Sequence, residues 1–223
     1  MSLVEHREGI EAGRLDMFVD GAFAFTLTLL AIGGETIPNT AEKLLHILAG
    51  VPAAAMCFAQ IAWMWHGHVQ WRHLCTRSTR TGLLLSLLLV FFALIFVYPL
   101  HMVFGSACYS LSGGVLSSDL AVQMSSDART MFVCYGLAYI AMAGTLTLLF
   151  RHAMRLNPTG TEEHRQAGIR TVMWAVPTAV GLLSALTALV VPTGLLALAG
   201  FEYALLGLIG PVIAWYKRRY ITE

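Results

Sequence analysis

The sequence predicts an all-α, polytopic membrane protein of six transmembrane helices, with the first helix at the centre of an assembly. Three observations lead there. Of 223 residues, 57% are apolar and only 12% are charged, against roughly 45–50% and about 25% in an average soluble domain. The apolar residues fall into six runs, each long enough for the roughly 20 helical residues that cross about 30 Å of hydrocarbon. Lysine and arginine collect on one side of those runs. So little charge cannot solvate the surface of a globule this size, which excludes a water-soluble enzyme, and disorder needs the opposite composition. A net charge of +1 excludes a nucleic-acid reader built on a large basic surface.

The spans, in order, are Arg14–Ile32, Leu44–His66, Gly82–Gly105, Met131–Arg151, Val172–Val191 and Leu195–Tyr216, and together they make residues 1–223 a single six-helix domain. Turn and charge signals separate them: GGETIPNTAEK, RHLCTRSTR, SLSGGVLSSD, RLNPTGTEEHRQAGIR and the short VPTG. Each span is expected to be helical because lipid offers no partner for free backbone groups. The polar start, MSLVEHREGIEAGR, has no signal-peptide core before the first run, so the first span is expected to stay in the mature protein. With the N-terminus inside, twelve basic residues lie on the cytoplasmic side (Arg7, Arg14, Arg72, Arg77, Arg80, Arg151, Arg155, Arg165, Arg170, Lys217, Arg218, Arg219) and only Lys43 and Arg129 lie outside. That bias predicts a multi-pass protein of the cell membrane with both termini cytoplasmic. Cys57, Cys75, Cys108 and Cys134 have the spacing of neither a zinc site nor a disulfide framework, and Cys57 and Cys134 read as packing residues.

Spans two to six read as ordinary lipid-soluble helices with small residues at their contacts. The first does not: RLDMFVDGAFAFTLTLLAIGG carries an arginine, two aspartates and two threonines. Charge at membrane depth costs a few kcal/mol even on insertion scales, so such residues face protein or a wet cavity. Phe18, Phe25 and Ile32 recur every seven residues, interleaved with Gly21 and Thr28, and Leu29 flanks them. This is an a/d-type stripe suited to a helix meeting copies of itself about an axis. An ordinary helix-packing seam produces the same periodicity. Asp20 is set off Arg14 by about 240° round the helix, so its carboxylate is expected to reach a neighbouring helix. Arg14 doubles as a snorkelling interface anchor.

At the end of the second span, AQIAWMWHGHVQWRHL crowds His66, His68 and His73 with Trp63, Trp65 and Trp71. The tryptophans read as an interfacial belt. The histidines lack a matching acidic or cysteine ligand for zinc, and a haem pair would need partners on facing helices, whereas His101 lies near the opposite face; no metal or other cofactor is expected. His66 instead reads as the partner of Asp20, since neutral imidazole donates to a carboxylate.

These residues resemble a known family. Arg14-x-x-x-Phe18-Val19-Asp20 followed by GAFAFTLTLLAI is similar to the RxxxFSD first helix of the transmembrane-protein-175 potassium channels, whose pattern FSDGVFAIAITLLVL it matches at Phe18, Asp20, Gly21, Phe23, Ala24, Thr28, Leu29 and Leu30. Trp63-x-x-His66 resembles the family's WxxHH signature, and Pro99 the proline closing its third span. The resemblance implies a single-repeat homotetramer passing potassium ions across the bilayer, without a carbonyl filter of the TVGYG type. It implies a pore lined by Phe25, Thr28, Leu29 and Ile32, and a network of Arg14, Phe18, Asp20 and His66 holding the pore helices to the second span. Three departures bear on gating and on that network. Val19 stands for the serine, Gly67 for the second histidine, and Phe25 for the isoleucine or leucine usual at a constriction. A competing class is a secondary transporter carrying protons or ions on intramembrane Asp20 or Glu202, although no inverted repeat is evident. A membrane enzyme would need a nucleophile–base or metal constellation, and the sequence holds none.

Overall fold

The computed structural model describes residues 3–32, 39–75, 79–116 and 125–220, with side chains described for most of these. Its elements are all helical: α1 Leu3–Ile32, α2 Ala41–Leu74, α3 Arg80–Leu111, α4 Ser125–Leu156, α5 Glu162–Val190, and a last segment made of a 3-10 turn at Thr193–Leu195, α6 Ala197–Phe201, a 3-10 stretch at Glu202–Leu208 and α7 Ile209–Tyr220. Among the described residues, α2, α3, Ala128–Leu156, α5 and Thr193–Arg219 are long and apolar enough to cross a membrane unaided.

The helices outrun the apolar runs because backbone bonding continues into the interface, where hydropathy no longer reports it. α2 extends through all the histidines to Leu74, and Cys75 caps it by donating to the Arg72 and Trp71 carbonyls. The broad break expected from Arg155 to Arg170 shrinks to residues 157–161. There Gly160 takes the left-handed φ of 91°, and the Thr161 hydroxyl accepts from the His164 amide at 3.2 Å to start α5, with Glu162 and Glu163 favourably placed in its first turn. Thr40 and Thr79 cap α2 and α3 in the same way. The sixth span departs from the expected continuous helix. Its centre tightens to 3-10 geometry around Glu202, whose carboxylate accepts from the Thr187 hydroxyl of α5 at 2.6 Å.

The core sits between α4, α5 and the neighbouring α2 and α3. Trp71, Trp174, Phe150, Met142 and Leu146 are among its fully buried side chains. α4 and α5 approach almost backbone to backbone: a Cβ on Gly136 would meet the Gly181 carbonyl at 2.8 Å, and one on Gly181 would meet the Tyr139 Cβ at 2.6 Å. Small residues permit this contact, which gains dispersion where lipid provides no hydrophobic drive. At the far end of that pair, Arg129 of α4 donates to the carbonyls of Ala188, Leu189 and Val191, closing the C-terminus of α5. All four cysteines are free thiols; Cys57 is buried as expected, while Cys134 is only half-buried. α1 packs on α3 and α2 at the edge of this bundle.

Candidate ion pathway on the first helix

One face of α1 is spent on the bundle. Val19, Phe23, Thr26 and Leu30 follow i, i+4, i+7, i+11 spacing, and all are buried, Val19 completely. The family serine is thus replaced by a β-branched apolar side chain in a packed seam. Thr26 survives there because its hydroxyl donates to the Ala22 carbonyl at 2.9 Å.

Among the described residues, the other face has no packing partner. Phe18 is 55% exposed and Phe25 56%; Gly21 and Thr28 are exposed with them and Leu29 is half-buried. The backbone of Ile32 closes α1, and its side chain lies outside the described residues. The Thr28 hydroxyl donates to the Ala24 carbonyl at 2.9 Å. Its proton is therefore occupied, and the oxygen presents lone pairs outward, the polarity a cation needs.

The network on the α2 side differs from the expected one. Asp20 accepts from the indole N–H of Trp65 at 2.8 Å, whereas His66 bonds Gln70 at 2.7 Å on its own helix. His66 is therefore not the partner of Asp20 within one subunit: Trp65 and His66 leave α2 on adjacent but diverging faces, about 100° apart. Arg14 is exposed, and among the described residues no hydrogen bond or ion pair joins it to Asp20 or His66. A second contact was not foreseen. Arg72 Nε donates to Asp16 Oδ1 at 2.7 Å, and its Nη1 donates to the Cys75 carbonyl at 2.6 Å. Two adjacent turns of α1 are thereby tied to an antiparallel α2. The missed signals were present in the sequence: Asp16 lies one turn before Asp20, and Trp65 and Arg72 flank the histidines, where they read as belt and anchor.

The remaining histidines diverge. His68 is buried, 2.9 Å from the Ser86 hydroxyl, while His66 and His73 are exposed. Among the described residues no group of three His, Cys, Asp or Glu is placed to hold a metal. Gly67 is explained by its neighbour, since a Cβ there would lie 2.5 Å from Trp174 Cζ2. Trp174 fills the space that a histidine at this position would enter, stacking on Trp63 with centroids 4.6 Å apart.

The fold is thus a helical membrane bundle whose most polar helix turns one face away from the described core. Residues 14–99 match the family model described as the endosomal/lysosomal potassium channel TMEM175. A protein of Marivirga tractuosa named as a potassium channel is 29% identical over 153 residues, a match covering 66% of this chain and 62% of that relative, less than two thirds of its length. A crystal structure of a variant of the potassium channel MtTMEM175, in complex with a Nanobody-MBP fusion protein, superposes with a TM-score of 0.76 at 26% identity, covering 94% of each chain. The likeness in sequence thus runs over the first three helices, and the likeness in fold over nearly the whole chain.

Proposed function

We propose that this protein is a potassium-preferring cation channel, a homotetramer in the cell membrane with both termini cytoplasmic, whose pore is lined by α1 of each subunit. The observation that carries this reading is the unpartnered face of α1. A stripe of Phe18, Gly21, Phe25 and Thr28, with the seven-residue spacing of a helix that meets its own copies, is left uncovered by the described residues of its own bundle. Around a symmetry axis, Phe25, Leu29 and Ile32 form apolar rings and Thr28 a hydroxyl ring. An ion that sheds water between apolar rings finds nothing to replace it, so a narrow ring closes the path by dewetting. The Thr28 oxygens, whose protons point to the Ala24 carbonyl, replace part of the hydration shell. Arg14, Phe18, Asp20 and His66 form the surrounding support. A carrier mechanism on Asp20 or Glu202 is not favoured: Asp20 is held by Trp65, Glu202 by Thr187, and the named relatives are potassium channels.

Electrical recording from the purified protein in liposomes tests the reading. Discrete unitary currents that reverse near the potassium equilibrium potential are expected. Strictly coupled, stepless transport would contradict it.

A further inference from the structure

The Asp16–Arg72 contact lies outside the family motif and has no role in the reading so far. Arg72 is held on three sides: Asp16 at 2.7 Å, the Cys75 carbonyl at 2.6 Å, and the Trp71 ring, 5.5 Å from the guanidinium carbon. Its side chain is 14% exposed and that of Asp16 38%. A guanidinium fixed this way, by the C-terminal carbonyl of its own helix and by an aromatic face, is a rigid donor rather than a mobile surface charge. Its bond to α1 is to a side chain whose direction round the helix is informative. Phe25 is nine residues from Asp16, about 180° round at 3.6 residues per turn, and Ile32 sixteen, about 160°. The anchor therefore stands opposite the apolar stripe. The Asp20–Trp65 bond, one turn on, lies on the same side. The buried stripe of Val19, Phe23, Thr26 and Leu30 holds α1 to the bundle by non-directional packing, whereas these two bonds are directional.

We propose that Asp16 and Arg72 are positioning residues that set the rotation of α1, and so determine which side chains face the ion path. This inference rests on α1 lining that path. Shortening or neutralising the anchor turns Phe25 and Thr28 off the axis and alters ion preference, although neither anchor residue touches an ion.

The test uses the full chain in liposomes. Cysteine is placed by Thr28→Cys or, about 100° away, by Leu27→Cys, and the rate of reaction with a water-soluble methanethiosulfonate is followed by current, with the chain lacking either substitution as control. Thr28→Cys is expected to react faster than Leu27→Cys. Adding Asp16→Asn should narrow that ratio by about threefold or more, the scale of coupling between contacting residues, and should shift the potassium–sodium reversal potential; Asp16→Glu, which keeps the charge, should restore both. Where Asp16→Asn does not accumulate, Arg72→Lys, which keeps the charge but loses the Nε bond, is read in the same way. An unchanged ratio and reversal potential in an assembled, conducting Asp16→Asn or Arg72→Lys channel overturns the inference while leaving the α1 pathway standing. Equal reactivity of Thr28→Cys and Leu27→Cys in the otherwise unaltered chain removes the pathway on α1, and the inference falls with it.

Discussion

Asp20 shows how a single carboxylate is accommodated at the edge of a membrane protein. A neutral indole N–H suits it because the pair brings no second charge to be desolvated, and a bond to a charged acceptor is among the stronger ones. Trp65→Phe and Asp20→Ala should therefore behave alike. Each should lower thermal stability by about 1–2 kcal/mol, the low end for a bond to a charged group because both side chains are exposed in one subunit. Unfolding of the detergent-solubilised protein reads this; loss from Asp20→Ala with none from Trp65→Phe would point to a different partner, such as a neighbouring subunit. The choice of Trp65 over His66 was not legible in the sequence. Both lie at the right end of α2, and only the relative rotation of two packed helices decides which one reaches across. Asp16–Arg72 was hidden for the same reason. The outward-facing stripe of α1 was legible because a seven-residue period is written in one helix and needs no partner to be seen.

Among the elements, the α4–α5 pair is the most closely built, and its glycines make paired predictions. Gly181→Ala places a Cβ 2.6 Å from the Tyr139 Cβ, a distance the two helices can relieve only by separating. It should cost about 1–3 kcal/mol, as overpacking does. Gly144→Ala meets nothing nearer than the Thr178 methyl at 3.6 Å and should be neutral or stabilising, since it also removes a flexible residue from a helix. Unfolding midpoints of the two variants check the contrast. Equal effects would mean that the close approach does not govern this seam. The number and order of helices followed from the apolar runs, whereas their ends did not, because hydropathy marks where lipid begins and not where hydrogen bonding stops. The 3-10 geometry at Glu202–Leu208 was likewise invisible: an apolar run is equally compatible with i→i+3 and i→i+4 bonding, and Thr187, fifteen residues away in the chain, holds the carboxylate at this tightened turn.

At the scale of the whole molecule, one subunit is an incomplete object. Its main core joins α2–α5 to one face of α1, while the other face of α1 points outward. Assembly about that face is the expected completion, and mass measurement in detergent should find a symmetric oligomer, with four subunits by the family resemblance. A monodisperse monomer that still conducts would contradict it. Within such an assembly Ile32→Asn should raise unitary current by wetting an apolar ring. Thr28→Ala should leave the constrictions intact while removing the hydroxyl oxygens that stand in for water. The bi-ionic reversal potential of Thr28→Ala, with potassium on one side and sodium on the other, tests the central claim that α1 is the ion path. The account predicts a shift toward zero, the mark of weakened preference for potassium. A reversal potential identical to that of the unaltered channel would place the selective part of the path elsewhere.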